Sequence, residues 1–250
     1  MKILIKFISI SLLFLFIGCE RDDTLSPPEN SEIVSVIVQL PENIQLSPLR
    51  VMYRSNTCLQ ERENGGGEIY KRPGYNSKTM IFTHHENNNA YNLRIPKNGG
   101  GKCKWQLSNI TFDIKLINNY GIKLSKNIPV HEIITFDKNS PQESVGIYKD
   151  IEGDLYLTND YFPAITNRHM NDNSKKLSLV RSEYSIIYRT HGAKKILFMP
   201  RVYVDKVIFA EEPIEHKIGK YLKVSYPDGT TVADGNYPDY KKLQSIIKFR

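Results

Sequence analysis

Along most of this chain apolar side chains recur at every second position, the period of a half-buried β-strand. From Ile33 to Leu40, one face carries Val34, Val36, Val38 and Leu40, and Pro41 ends the run. Pro48 opens a second stretch, Leu49 to Tyr53. Met80 to Thr83 and Tyr91 to Ile95 read as strands joined by a polar hairpin loop, His84 to Asn89. The charged segment that runs into a glycine triplet, Glu61 to Gly67, reads as a mobile loop, and Asn98-Gly99-Gly100-Gly101 as a turn. Cys103 to Leu116 gives the clearest strand signal and changes phase midway. Trp105 and Leu107 lie on one parity; Ile110, Phe112, Ile114 and Leu116 lie on the other. A β-bulge at Ser108-Asn109 would absorb that slip; two short strands meeting at a bend are the alternative.

The pattern resumes after Asn139-Ser140-Pro141. Strands are expected at Ser144 to Tyr148, Leu155 to Thr158, Ser185 to Arg189, Lys195 to Pro200, Val202 to Phe209 and Tyr221 to Tyr226, with a turn at Pro227 to Thr230. Only Tyr240 to Ile247 switches to helical spacing, through Leu243, Ile246 and Ile247. The fold class expected is therefore mainly β, with sandwich-like antiparallel sheets and a short C-terminal helix. A boundary near residue 140 divides residues 32–140 from 141–250. Whether those two stretches share a core is left open.

The N-terminus follows different rules. Lys2 and Lys6 precede an apolar run to Ile17, and Gly18 stands directly before Cys19. A small residue followed by cysteine at that place resembles the lipobox of bacterial lipoproteins. The resemblance implies that residues 1–18 are a signal peptide removed on export and that Cys19 is lipidated. Glu20, rather than aspartate, implies sorting to the outer membrane, facing the periplasm. Several acyl chains on one cysteine would anchor stably where a single chain does not. Residues 19–31 are polar and contain Pro27-Pro28, so they read as a lipidated N-terminus and flexible tether.

Composition then narrows the function. The net charge of +7 falls to +5 without Lys2 and Lys6, and the basic residues are interspersed with acidic ones. Nucleic-acid binding asks for a clustered basic face, so it is not expected. An exported domain with two remaining cysteines, Cys58 and Cys103, reads as one disulfide. No G-x-S-x-G, H-E-x-x-H or P-loop pattern occurs. Gly99-Gly100-Gly101-Lys102 lacks the spacing of a phosphate loop, and Asp150, Glu152 and Asp154 lack the glycine and distal glutamate of a calcium loop. The histidines are scattered, and adjacent His84 and His85 would point to opposite faces of a strand. The reading is a non-catalytic chain with no metal and no cofactor. Its fifteen tyrosines and polar loops suit a protein partner. Candidate contact residues are Arg72 and Tyr75 in the Glu61 to Tyr75 segment, His84 and His85 in the hairpin, and Arg168, His169, Lys175 and Lys176 in a loop from Asn167 to Lys176.

Two stretches carry a second resemblance: Ser47-Pro48-Leu49-Arg50-Val51-Met52-Tyr53-Arg54-Ser55 followed by Cys58, and Asn98-Gly99-Gly100-Gly101-Lys102-Cys103-Lys104-Trp105-Gln106-Leu107-Ser108. Together they look like small lipoproteins that serve as immunity proteins for phospholipase effectors of type VI secretion. That resemblance, over roughly residues 33–116, implies tight binding to a toxin delivered into the periplasm and no turnover. An envelope-assembly or adhesion lipoprotein, and an envelope glycan- or lipid-acting enzyme without a recognisable motif, are the alternatives.

Overall fold

A computed structural model describes residues 23–139, 146–169, 174–183, 185–215 and 217–248. Cys19 and the signal segment therefore lie outside the described residues. The chain is mainly β, and its described strands form three sheets. The first has the order Leu155–Leu157, Lys195–Phe198, Ile33–Gln39, Ala90–Pro96, Thr83–His85. The second runs Ile147–Glu152, Ile186–His191, Val130–Thr135, Trp105–Leu116, Leu49–Glu63, Ile69–Met80. The third runs Thr231–Gly235, Leu222–Ser225, Ile208–Glu211, Asp160–Arg168, Ser174–Val180, Lys126–Asn127.

The sheets are mixed, although antiparallel pairs predominate between neighbours in sequence. Ile33–Gln39 pairs antiparallel with Ala90–Pro96 but parallel with Lys195–Phe198. Val130–Thr135 does the same with Trp105–Leu116 and Ile186–His191. A parallel neighbour must arrive through a long crossover, so these pairs join distant parts of the chain. Strands from both sides of residue 140 thus lie in common sheets. They also share one core: Phe198 stacks edge-on against Phe112 at 5.4 Å and Tyr161 at 6.5 Å, so side chains of all three sheets meet there.

Asp160–Arg168 is buried on both faces for most of its length. Tyr161 and Ile165 enter the main core, whereas Phe162 and Ala164 enter a smaller one closed by the helix Tyr240–Lys248. Asp239 caps that helix, its carboxylate accepting from the Lys241 amide at 2.8 Å. Leu243 is fully buried beneath it.

The expected bulge is present. Met52 pairs with Asn109 and Tyr53 with Leu107, which leaves Ser108 as the extra residue. Both halves of Trp105–Leu116 therefore point their apolar side chains into the core. Several expectations differ. Glu61 to Gly67 is not a mobile loop: the strand continues to Glu63, pairs with Ile69 onward, and turns only over residues 64–68. The Asn64 side chain closes that turn by accepting from the Gly66 and Glu68 amides. Val202 to Phe209 is two strands, Arg201–Val202 and Ile208–Glu211, which pair with successive parts of Asp160–Arg168. Of the strand expected at 144–148, Ser144 and Val145 fall outside the described residues, and the strand present is Ile147–Glu152. Residues 23–31 are not a free tether either. Leu25 packs on the core and Ser26 bridges to Gly100.

Candidate partner-binding surface

The expected disulfide is formed. Cys58 and Cys103 are bonded, with Cα atoms 5.2 Å apart. The bridge sits at a local disruption of the long hairpin: Ser55 pairs with Gly74 and Leu59 with Pro73, so residues 56–58 bulge out. Ser55, buried beneath, accepts from the Thr57 and Cys58 amides and donates to the Cys103 carbonyl at 2.5 Å. The hairpin arm beyond, 59–73, is thereby fixed at its root while Leu59, Ile69 and Tyr70 remain exposed. Arg72 and Tyr75 lie on this hairpin, with the guanidinium 5.8 Å from the ring centroid.

The other expected contact residues are dispersed. His84 and His85 sit on Thr83–His85, the edge of the first sheet, where His84 stacks on Tyr91 and contacts the Asn89 side chain. Arg168, His169, Lys175 and Lys176 belong to the third sheet; residues 170–173 between them lie outside the described set. This segment is two paired strands rather than the expected loop. Asn167 faces Lys175 and Thr166 faces Lys176. Alternation then separates the four side chains. Arg168, ion-paired to Glu212 at 2.8 Å, and Lys176 occupy one face. His169, beside Glu211 at 3.2 Å, and Lys175 occupy the other.

That second face lines a shallow concavity. Strand register lays out two rows across it. Lys175, Asn167, Glu211 and Lys223 form a polar row. Leu177, Ile165, Phe209 and Ser225 form the next. Burial falls along the second row. Leu177 and Ile165 are covered by the main core, while Phe209 is 50% exposed. Ile122 borders the concavity, whose volume is about 260 Å³. Small-molecule sites run from about 300 to 1,000 Å³, so this hollow falls below their usual range. An aromatic in a shallow hollow with a charged rim is the anatomy of a contact hot spot. Sequence reading reaches His169 and Lys175 but misses Phe209, Lys223 and Glu211. Alternation alone makes Phe209 the end of an ordinary amphipathic strand, and only the neighbouring strands show that its row runs out past the covering layers.

Two further clusters carry titratable groups. His131 and Asp113 are cross-strand neighbours, with Nδ1 to Oδ1 at 2.6 Å. Ser47 accepts from the Asp113 amide and donates to the Pro48 carbonyl, so its hydroxyl is engaged on the backbone and not aimed at the imidazole. In the core, Glu132 is fully buried and receives Arg181 Nη1 at 2.7 Å and the Tyr161 hydroxyl at 2.6 Å. Burial pushes the Glu132 carboxyl above its ordinary range, opposed by the Arg181 charge and by both hydrogen bonds. Burial likewise raises the Tyr161 hydroxyl. This buried cluster joins the second and third sheets. Among the described residues no group of three or more histidines, cysteines or carboxylates could hold a metal ion.

No protein-family model, curated protein or solved structure matches this chain. The geometry of its own surfaces is therefore what bears on function.

Proposed function

We propose that this chain is a lipid-anchored lipoprotein of the bacterial envelope that works by binding a protein partner stoichiometrically and not by turnover. The partner we propose is a phospholipase effector of type VI secretion, which the chain neutralises as its immunity protein. Cys19 after Gly18 supports the anchor, and the Ser47–Cys58 and Asn98–Ser108 stretches support the partner class. The observation that carries the binding reading is the open face around Phe209. It offers a half-exposed aromatic between Lys175, Lys223 and Glu211, on strands that a packed core holds rigid. A pre-organised surface loses little conformational entropy on binding.

The test uses purified protein lacking residues 1–19 and a phospholipase effector from the same cell. Inhibition of vesicle lipid hydrolysis should saturate at one molecule per toxin. Phe209→Ala should weaken it at least about tenfold, the size of one hot-spot contact. Ser77→Ala, on another sheet, should leave it unchanged. No inhibition at any ratio refutes the immunity reading. Inhibition unaffected by Phe209→Ala refutes the surface.

A further inference from the structure

The glycine triplet at 99–101 has no role in the surface described above, yet each glycine is required by close packing. A Cβ on Gly99 would lie 2.9 Å from the Tyr53 ring. On Gly100 it would lie 1.9 Å from the Ser26 carbonyl oxygen, and on Gly101 2.5 Å from that of Thr24. Gly100 and Gly101 also have positive φ, +61° and +69°, which side chains rarely adopt. The triplet is thus a track along which the N-terminal segment lies. Ser26 donates its amide to the Gly99 carbonyl at 2.9 Å. The Asn76 side chain donates to the Asp23 carbonyl at 2.6 Å. Ser31 Oγ accepts from the Asn98 amide at 3.1 Å, and Leu25 packs on the core.

We propose that this track fixes one face of the domain, around Asn76 and the Cys58–Cys103 bridge, against the bilayer that holds Cys19. The proposal rests on the lipoprotein reading. A leash free from Ser31 would let the domain move about 42 Å from the anchor, at about 3.5 Å per residue over twelve residues. With Asp23 docked, four residues remain, a reach of about 14 Å. That is less than the width of the domain. Ile69–Met80 contains Asn76, so its edge of the second sheet is held beside the membrane. Ile147–Glu152, the opposite edge, lies five strands away, about 24 Å at strand spacing. The near side also presents Lys102 and Lys104 flanking the bridged cysteine, and exposed Leu59 next to Cys58. Basic and amphipathic groups suit the headgroup region of a lipid surface.

The experiment uses the full acylated chain in vesicles of phosphatidylethanolamine and phosphatidylglycerol containing brominated lipid. A fluorophore is placed through Ser77→Cys or, on the far edge, Lys149→Cys. Quenching should be several-fold stronger at position 77. A flexible Gly-Ser spacer inserted between residues 22 and 23 leaves the docked segment intact and should collapse the difference. Gly101→Val, which blocks the track, should act the same way, with circular dichroism reporting whether that variant folds. Equal quenching at both positions in the unmodified chain overturns the proposal, as does a difference that survives the spacer. Mass spectrometry of the Cys19 peptide keeps the two ideas apart. If that peptide carries no lipid, the lipoprotein reading itself has failed and the orientation falls with it.

Discussion

Arg181→Met should destabilise the domain by about 3–5 kcal/mol near neutral pH, because it strands a charge in the core. Glu132 is fully buried and Arg181 is only 8% exposed. The variant removes the Arg181 contact to Glu132 at 2.7 Å and its bonds to the His131 and Glu183 carbonyls at 3.2 and 3.0 Å. Glu132 would then keep the Tyr161 hydroxyl as its side-chain donor, while Oε2 already meets none among the described residues. The sign of the pH dependence follows from the same burial. A lone buried carboxyl has a folded pKa above its unfolded value, so the protonated form favours folding. The deficit should therefore be smaller at low pH, and fully felt once pH rises through the folded value. The double variant Glu132→Gln with Arg181→Met keeps an acceptor for Tyr161 and buries no charge. It should recover roughly half of the loss or more. Urea unfolding followed by tryptophan fluorescence, with the disulfide intact, measures all three proteins, since Trp105 is buried in the main core. A loss below about 1 kcal/mol for the single variant, or a double variant no better than it, would refute the argument.

Breaking the bridge with Cys58→Ser should cost about 4 kcal/mol by the chain-entropy estimate for a sequence separation of 45. Urea unfolding of the oxidised protein and the variant checks it, and a difference under about 1 kcal/mol would mean that Ser55 and the glycine track hold the arm unaided. Acid should also weaken the fold. The Lys194 and Lys195 amides hold the Asp154 carboxyl below its ordinary range, and Lys97 does so for Glu32 through a hydrogen bond and its charge. Such stability is present above the unfolded values and is lost as pH falls through the folded ones. Melting temperature should drop below about pH 4, and Asp154→Asn should flatten part of that drop.

Much of the fold was legible from local alternation. The Ser108 bulge could be placed because a change of parity in a strand has one economical cause, an extra residue. The helix Tyr240–Lys248 and the disulfide were equally readable, from spacing and from counting cysteines. The strand Asp160–Arg168 was missed for a physical reason. Buried on both faces, it does not alternate, and Pro163 argues against a central strand. Pro163 is tolerated where one flanking partner gives way from Arg201–Val202 to Ile208–Glu211. The candidate contact residues could not be sorted by face from the sequence, because a set of polar side chains carries no face by itself. Pairing put His169 and Lys175 on one side of the third sheet and Arg168 and Lys176 on the other.

By itself the sequence determined what depends on neighbours a few residues apart: strand and helix periods, turns and the cysteine count. Tertiary structure decided what depends on residues far apart in the chain. It set the parallel pairs across residue 140, the Glu132–Arg181 contact, the exposure of Phe209 and the docking of residues 23–31 on the glycine track. The physical reason is that alternation reports which positions are buried but not what buries them, and partner choice is settled only when the whole core packs.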